Sequence, residues 1–193
     1  MRKIALTEIK SIPEYEAARS GWKKEVLELK KRRRVQVGER ISLHFENRET
    51  LLSQIQEMVR IERITNPEKV QEEVDVYNEL IPAPHELSAT LFIEVSEQSK
   101  IQEELLSLLG LDEPGVVFFE IGKERVFGVF EQGRSTEEKI SSVHYVKFPF
   151  SKSAEDAFRR GEPTFVVADH PNYKVRIAAT AETRQELIKD LEA

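Results

Sequence analysis

Ile41-Ser-Leu-His-Phe-Glu46, then Asn47, then Arg48-Glu-Thr-Leu-Leu-Ser-Gln-Ile-Gln-Glu-Met-Val-Arg-Ile61 changes its apolar period across a single residue. Ile41, Leu43 and Phe45 alternate with Ser42, His44 and Glu46, the spacing of a strand with one apolar and one polar face. Asn47 stands at the N-cap position, where its side-chain oxygen can accept from the first free amides of a helix. Leu51, Leu52, Ile55, Met58 and Val59 follow at three- and four-residue steps and form one stripe. Glu62 continues the stripe and is expected to emerge at the helix end, because an unpaired carboxylate is seldom buried.

Upstream, the spacing predicts a helix over residues 13–34 with Ala18, Trp22, Val26 and Leu29 on its buried side. It closes on Lys30-Lys-Arg-Arg-Arg34. Five cations in a row can bind nucleic acid. They also complement the negative end of a helix, and an acidic chain with no aromatics interleaved in the run favours that second reading. Val35-Gln-Val-Gly-Glu-Arg40 then reads as a short extended piece with a turn.

Downstream, Asn66, Pro67 and Glu68 mark a helix start, with Val70, Val74 and Tyr77 as its buried stripe. Its other side carries Glu72, Glu73, Asp75 and Glu79. After Pro82-Ala-Pro84, residues 87–95 alternate as a strand, with Ala89, Leu91, Ile93 and Val95 on one face. Ser99 with Gln102 makes a capping-box pattern for a helix that ends at Gly110. Two hairpins follow, one around Gly122-Lys-Glu124 and one around His170-Pro-Asn172. Between them lie a polar loop at 132–139, a strand at 141–150 with His144 opposed to Val143 and Tyr145, and a short helix opened by Ser153 and Asp156. Thr183 with Glu186 caps a last helix. Helices early and hairpins late predict an α+β fold, a largely antiparallel sheet with two late hairpins packed against several amphipathic helices. We read residues 1–193 as one domain, with 111–115 as the one place where it would divide.

The chain has 193 residues, enough to bury a proper core, and its 39% hydrophobic and 33% charged content is too patterned for disorder. A net charge of −6 argues against non-specific nucleic-acid binding by the whole chain. The lack of cysteine removes disulfides, thiolate metal sites and a thiol nucleophile. With no signal-peptide run and no stretch able to span a bilayer, the expected compartment is the cytoplasm, with no membrane partner.

Several motifs are nearly present. Gly110-Leu-Asp-Glu-Pro-Gly115 has the glycine spacing of a phosphate loop without its Lys and Ser/Thr. Gly133-Arg-Ser135 lacks the second glycine of a nucleophile elbow, His85-Glu86 lacks a second histidine, and no Glu stands three residues before a histidine. His85 and His170 read as turn residues. A looser set remains: His44 and Glu46 on one strand, Glu94 with Thr90 on another and His144 on a third. Were their polar faces aligned, they would converge as a divalent-metal site or an acid–base pair. Arg48, Gln54, Gln56, Glu57 and Arg60 form the polar side of the central helix, a candidate ligand or partner surface.

The segments Leu29-Lys-Lys-Arg-Arg-Arg-Val35, Phe45-Glu-Asn-Arg48, Gln54-Ile-Gln-Glu-Met58, Asn78-Glu-Leu-Ile-Pro82, Leu87-Ser-Ala-Thr-Leu-Phe-Ile-Glu94, Val143-His-Tyr145 and Asp169-His-Pro171 resemble a bacterial family known as domain of unknown function 3501. The resemblance covers nearly the whole chain, and it brings no catalytic residues with it. It implies a setting beside rubrerythrin-like and iron–sulfur oxidoreductase proteins, and so a part in peroxide or oxygen stress. The polar residues of the shared segments, Glu46, Asn47, Arg48, Gln54, Gln56, Glu57, Asn78, Glu79, Glu94 and His144, become the candidate binding residues, with His44 and Arg60 beside them. The expectation is an accessory or binding protein, a homo-oligomer with a redox partner protein and no cofactor of its own. The alternatives are a small metal-dependent enzyme built on the His/Glu cluster and nucleic-acid binding through residues 30–34.

Overall fold

A computed structural model of the chain describes residues 1–136 and 138–191; Glu137, within the polar loop expected at 132–139, lies outside them, as do Glu192 and Ala193. Among the described residues the fold is α+β, with six α-helices and two antiparallel sheets. In chain order these are α1 (Ile12–Arg32), β1 (Arg34–Val37), β2 (Ile41–Glu46), α2 (Arg48–Ile61), α3 (Pro67–Asn78), β3 (Glu86–Ile93), α4 (Ile101–Leu106), β4 (Val117–Ile121), β5 (Glu124–Phe127), β6 (Val129–Phe130), β7 (Val143–Pro149), α5 (Lys152–Arg160), β8 (Thr164–His170), β9 (Tyr173–Ala178) and α6 (Ala181–Leu191). One sheet has the order β1-β2-β3-β7-β6 and the other β5-β4-β8-β9.

The junction at Asn47 forms as its sequence dictates. Asn47 Oδ1 accepts from the Thr50 amide at 2.9 Å, and Thr50 Oγ1 accepts from the Asn47 amide at 3.0 Å. That reciprocal pair satisfies two amides at the helix start. Leu51, Ile55 and Val59 are buried, while Glu62 caps the helix and is exposed.

Both expected hairpins form, but the chain that leaves the first of them splits between the two sheets. β5 pairs with β4, the chain bends at Gly128, and β6 pairs with β7 in the other sheet. Gly128 permits the crossing: a Cβ there would lie 2.8 Å from Val146 Cγ2 and 3.1 Å from the Val117 carbonyl. The core lies between the sheets, with Leu43, Phe45, Leu91 and Phe148 on one side and Phe119, Ile121 and Val166 on the other. The Phe119 ring meets Phe148 edge-on at 5.0 Å. Residues on both sides of 111–115 contribute to this one cluster. A second cluster on the outer face of the five-stranded sheet joins α2, α3, Ile4, Leu80 and Ile81, with Tyr145 of β7 packed against it.

Local starts differ from expectation where tertiary packing moved them. α5 is capped two residues early by Ser151, whose Oγ accepts from the Ala154 amide at 3.2 Å. α6 starts at Ala181, with Thr180 Oγ1 accepting from the Thr183 amide at 3.1 Å, so Thr183 and Glu186 lie inside the helix and are buried. A 3-10 turn at Gln98–Lys100 replaces the Ser99 cap, and α4 ends at Leu106, four residues before Gly110. On α1, Ala18 is exposed and Trp22 half-buried against Tyr15, because the helix touches its neighbours mainly through Tyr15, Val26 and Leu29.

Candidate functional site

Strand register decides what can converge. Across β2, β3 and β7, His44 stands level with Thr90 and Tyr145, whereas His144 stands level with Leu91 and Leu43. Side chains alternate faces along a strand, so His44 and Glu46 point to the outer face and His144 to the inner one. The expected cluster of His44, Glu46, Glu94 and His144 therefore divides in two. Among the described residues no three His, Asp or Glu side chains are grouped to hold a metal ion.

On the outer face, Ser42 Oγ donates to Glu94 at 2.6 Å, so the His44 Nε2–H must be the donor in the 3.2 Å contact with Ser42 Oγ. A hydrolytic triad runs the other way, with histidine taking the serine proton and the carboxylate holding the histidine. Glu94 is also held by Arg34 at 2.7 Å and Gln36 at 3.1 Å. Against the cost of desolvation, the bonds from Ser42 and Gln36 and the Arg34 charge keep its carboxyl below the ordinary value. Burial, with Arg34 next, pushes His44 below its ordinary value too, and its ring packs against Phe92 at 4.8 Å. Glu46 is buried beneath α2, where it accepts from Thr50, Gln54 and Thr90.

The polar side of α2 binds the chain's own N-terminal segment. Gln56 accepts from the Lys10 amide and donates to the Lys10 carbonyl, both at 2.9 Å. Asn78 does the same to Ile4, at 2.8 and 2.9 Å. Arg48 pairs with Glu8, and Glu79 stands 3.4 Å from Lys3. Glu57 receives Tyr15 at 2.7 Å, Arg19 at 2.6 Å and Arg60 at 2.9 Å, joining α1 to α2. These residues come together around the first nineteen residues of the chain.

The Glu57 latch has a pH signature. The Arg19 hydrogen bond, against desolvation and with help from Tyr15 and Arg60, lowers its pKa from 4.5 to about 2. Burial and then Glu57 push Tyr15 up to about 12. A folded value below the unfolded one stabilises above the unfolded pKa and is lost as pH falls towards the folded value. Wild type is therefore expected to exceed Glu57→Gln by about 1–2 kcal/mol at pH 7, after allowance for solvent screening. Thermal denaturation against pH should show that gap closing between about pH 5 and pH 2; a constant gap would remove the carboxylate from the account.

The run at 30–34 is dispersed by the fold. Lys30, Lys31 and Arg32 occupy the last turn of α1, Arg33 is buried, and Arg34 pairs with Glu94.

A feature that combines space with unspent polar atoms lies elsewhere. A cleft of about 730 Å³ opens between the turn after α4 and the loop after β6, lined by Leu109, Asp112, Pro114, Phe130, Glu131 and Ser135 among others. His144, 1% exposed, backs this wall. Its ring meets Phe130 edge-on at 5.9 Å, and its Nδ1 stands 3.8 Å from Asp112 Oδ2. Its Nε2 lies 2.8 Å from the Ser141 carbonyl, which can only accept, so the proton sits on Nε2. Burial holds the imidazole below its ordinary pKa and hence neutral. Nδ1 is then a bare acceptor, and both it and Ser135 Oγ are buried without a hydrogen-bond partner. His170 fixes the opposite wall: its Nε2–H donates to the Leu109 carbonyl at 2.9 Å, while its Nδ1 accepts from the Asn172 amide at 3.2 Å.

Of the residues expected from sequence, none lines this cleft, and only His144 stands directly behind its wall. Asp112, Phe130 and Ser135 escaped notice because they come from separate segments, each individually ordinary. Asp112 and Ser135 do fall in the two failed motifs, Gly110–Gly115 and Gly133–Ser135, and those glycine turns form the cleft's walls.

Two antiparallel sheets, a helical cover on one outer face and a polar cleft beside the five-stranded sheet define an α+β protein. The chain belongs to the family described as Protein of unknown function (DUF3501), whose model matches residues 3–191. It is also similar to a novel protein of unknown function from Burkholderia pseudomallei K96243, whose crystal structure was solved at 1.90 Å. The two share 29% identity over 98% of this chain and 100% of that one, with a TM-score of 0.91. No curated protein matches the chain. Among the described residues no helix is long and apolar enough to cross a membrane.

Proposed function

We propose that the chain is an accessory binding protein without a cofactor of its own, and that its working site is the cleft backed by His144. The observation that carries this reading is the bare Nδ1 of a 1% exposed histidine beside a cleft of about 730 Å³. A buried polar atom without a partner costs on the order of 1–3 kcal/mol, a cost that a bound molecule would remove. The polar side of α2, the other candidate surface, is occupied by the N-terminal segment. The family resemblance implies a setting beside redox proteins under peroxide or oxygen stress, and we place the chain there as a cytoplasmic homo-oligomer with a redox partner.

The test is complementation of a deletion strain under peroxide challenge. Wild type should restore survival, and Thr136→Trp, which places a large ring at an exposed position lining the cleft, should leave survival at the level of the deletion. Full restoration by a folded Thr136→Trp protein would reject the cleft. A deletion strain indifferent to peroxide would reject the redox setting.

A further inference from the structure

Resting on the cleft as the working site, we infer that its ligand is a primary alkylammonium, an –NH3⁺ head on a short hydrocarbon stem. Three observations converge on that chemistry.

The first is the sense of the free hydrogen-bonding groups. Nδ1 of His144 can only accept, because the ring's proton is committed to the Ser141 carbonyl, and Asp112 beside it is an acceptor as well. The complementary ligand atom is therefore a donor. A nitrogen about 2.9 Å from each of two acceptors 3.8 Å apart would see them at an angle of roughly 80°. Two N–H bonds of one ammonium can serve both.

The second is charge. Asp112, Glu113 and Glu131 line the cleft. The nearby cation, Arg134, is engaged with Glu131 at 2.7 Å and lies over the Tyr145 ring at 4.5 Å. An anion would meet carboxylates and a bare imidazole lone pair.

The third is the apolar remainder. Leu109, Pro114 and Phe130 share the lining, a surface suited to methylene groups and, at the Phe130 ring, to a cation. A metal ion fits less well, since His144 and Asp112 supply two protein ligands where even catalytic zinc sites use three.

Isothermal titration of the intact chain with putrescine and spermidine tests this, with butyltrimethylammonium, Zn2+ and Mn2+ as the contrasting probes. At least one amine should bind saturably, Asp112→Asn should weaken it at least tenfold, and butyltrimethylammonium, which has no N–H to give, should neither bind nor compete. The 15N resonance of His144 Nδ1 should leave the imine position when the amine binds, a response that mere charge attraction to an acidic protein would not produce. Equal binding of the trimethyl compound, or amine affinity unchanged in Asp112→Asn, would overturn the proposal. So would tight Zn2+ or Mn2+ binding that shifts the same resonance and is lost in Asp112→Asn. If no amine binds while Thr136→Trp still fails to complement, the ammonium assignment falls and the cleft stands. If Thr136→Trp complements fully, the cleft itself falls.

Discussion

Arg33→Met is expected to destabilise the fold by about 3–5 kcal/mol, the range for removing one partner of a buried ion pair. The Arg33 side chain is 1% exposed and all of its guanidinium nitrogens are spent. Nε donates to the Phe45 carbonyl at 2.9 Å, one Nη donates to the Glu46 carbonyl at 3.1 Å, and the head contacts the Asp190 carboxylate, with Glu186 at 3.5 Å. One side chain thus joins the end of α1, the last two residues of β2 and the helix α6. Methionine fills similar space but leaves Asp190, 2% exposed, without its cation. Arg33→Met combined with Asp190→Leu should recover much of the loss, because a buried pair replaced whole by apolar groups is often nearly neutral. Urea denaturation of both variants checks this. A loss below about 1 kcal/mol in the single variant would mean that the pair is dispensable.

Glu46→Leu should cost about 3–4 kcal/mol for a different reason. This carboxylate is 4% exposed and, among the described residues, forms no ion pair within 4.0 Å. It is satisfied by neutral donors: Thr50 at 2.6 Å, Gln54 at 2.8 Å and Thr90 at 2.8 Å. Hydrogen bonds to a charged group contribute about 1.5–3 kcal/mol each, and leucine would strand their donors between α2 and the sheet. Thr50 has a second acceptor in the Asn47 carbonyl at 3.0 Å, which softens the loss; Thr90 and Gln54 carry most of it. Glu46→Gln keeps the shape and one acceptor and should lose about half as much. For a chain of this size, the leucine variant should melt roughly 10 °C lower. A melting temperature within 2 °C of wild type would show that those donors find water instead.

Both positions were visible in sequence but not their roles. Arg33 sits inside a run of five cations whose neighbours behave as the helix end dictates, and nothing local separates the buried one from the rest. Its partner Asp190 is 157 residues away, a distance no periodicity can reach. Gln56 and Asn78 looked like an exposed recognition surface because amide side chains usually face water. Here each one closes on the backbone of the N-terminal segment.

What the sequence determined by itself was local: the strand-to-helix change at Asn47, the Asn66-Pro67 start of α3, the alternation of β3 and both hairpins. Each is set by caps, turns and side-chain periods that act over fewer than about ten residues. Tertiary structure alone decided which faces meet. The register across β2, β3 and β7 sent His44 outward and His144 inward, and Gly128 let one strand cross from one sheet to the other. Those choices follow from packing two sheets on one apolar layer, which links residues far apart in the chain. For the same reason the cleft's Asp112 and Phe130 become neighbours of His144 only once the chain is folded.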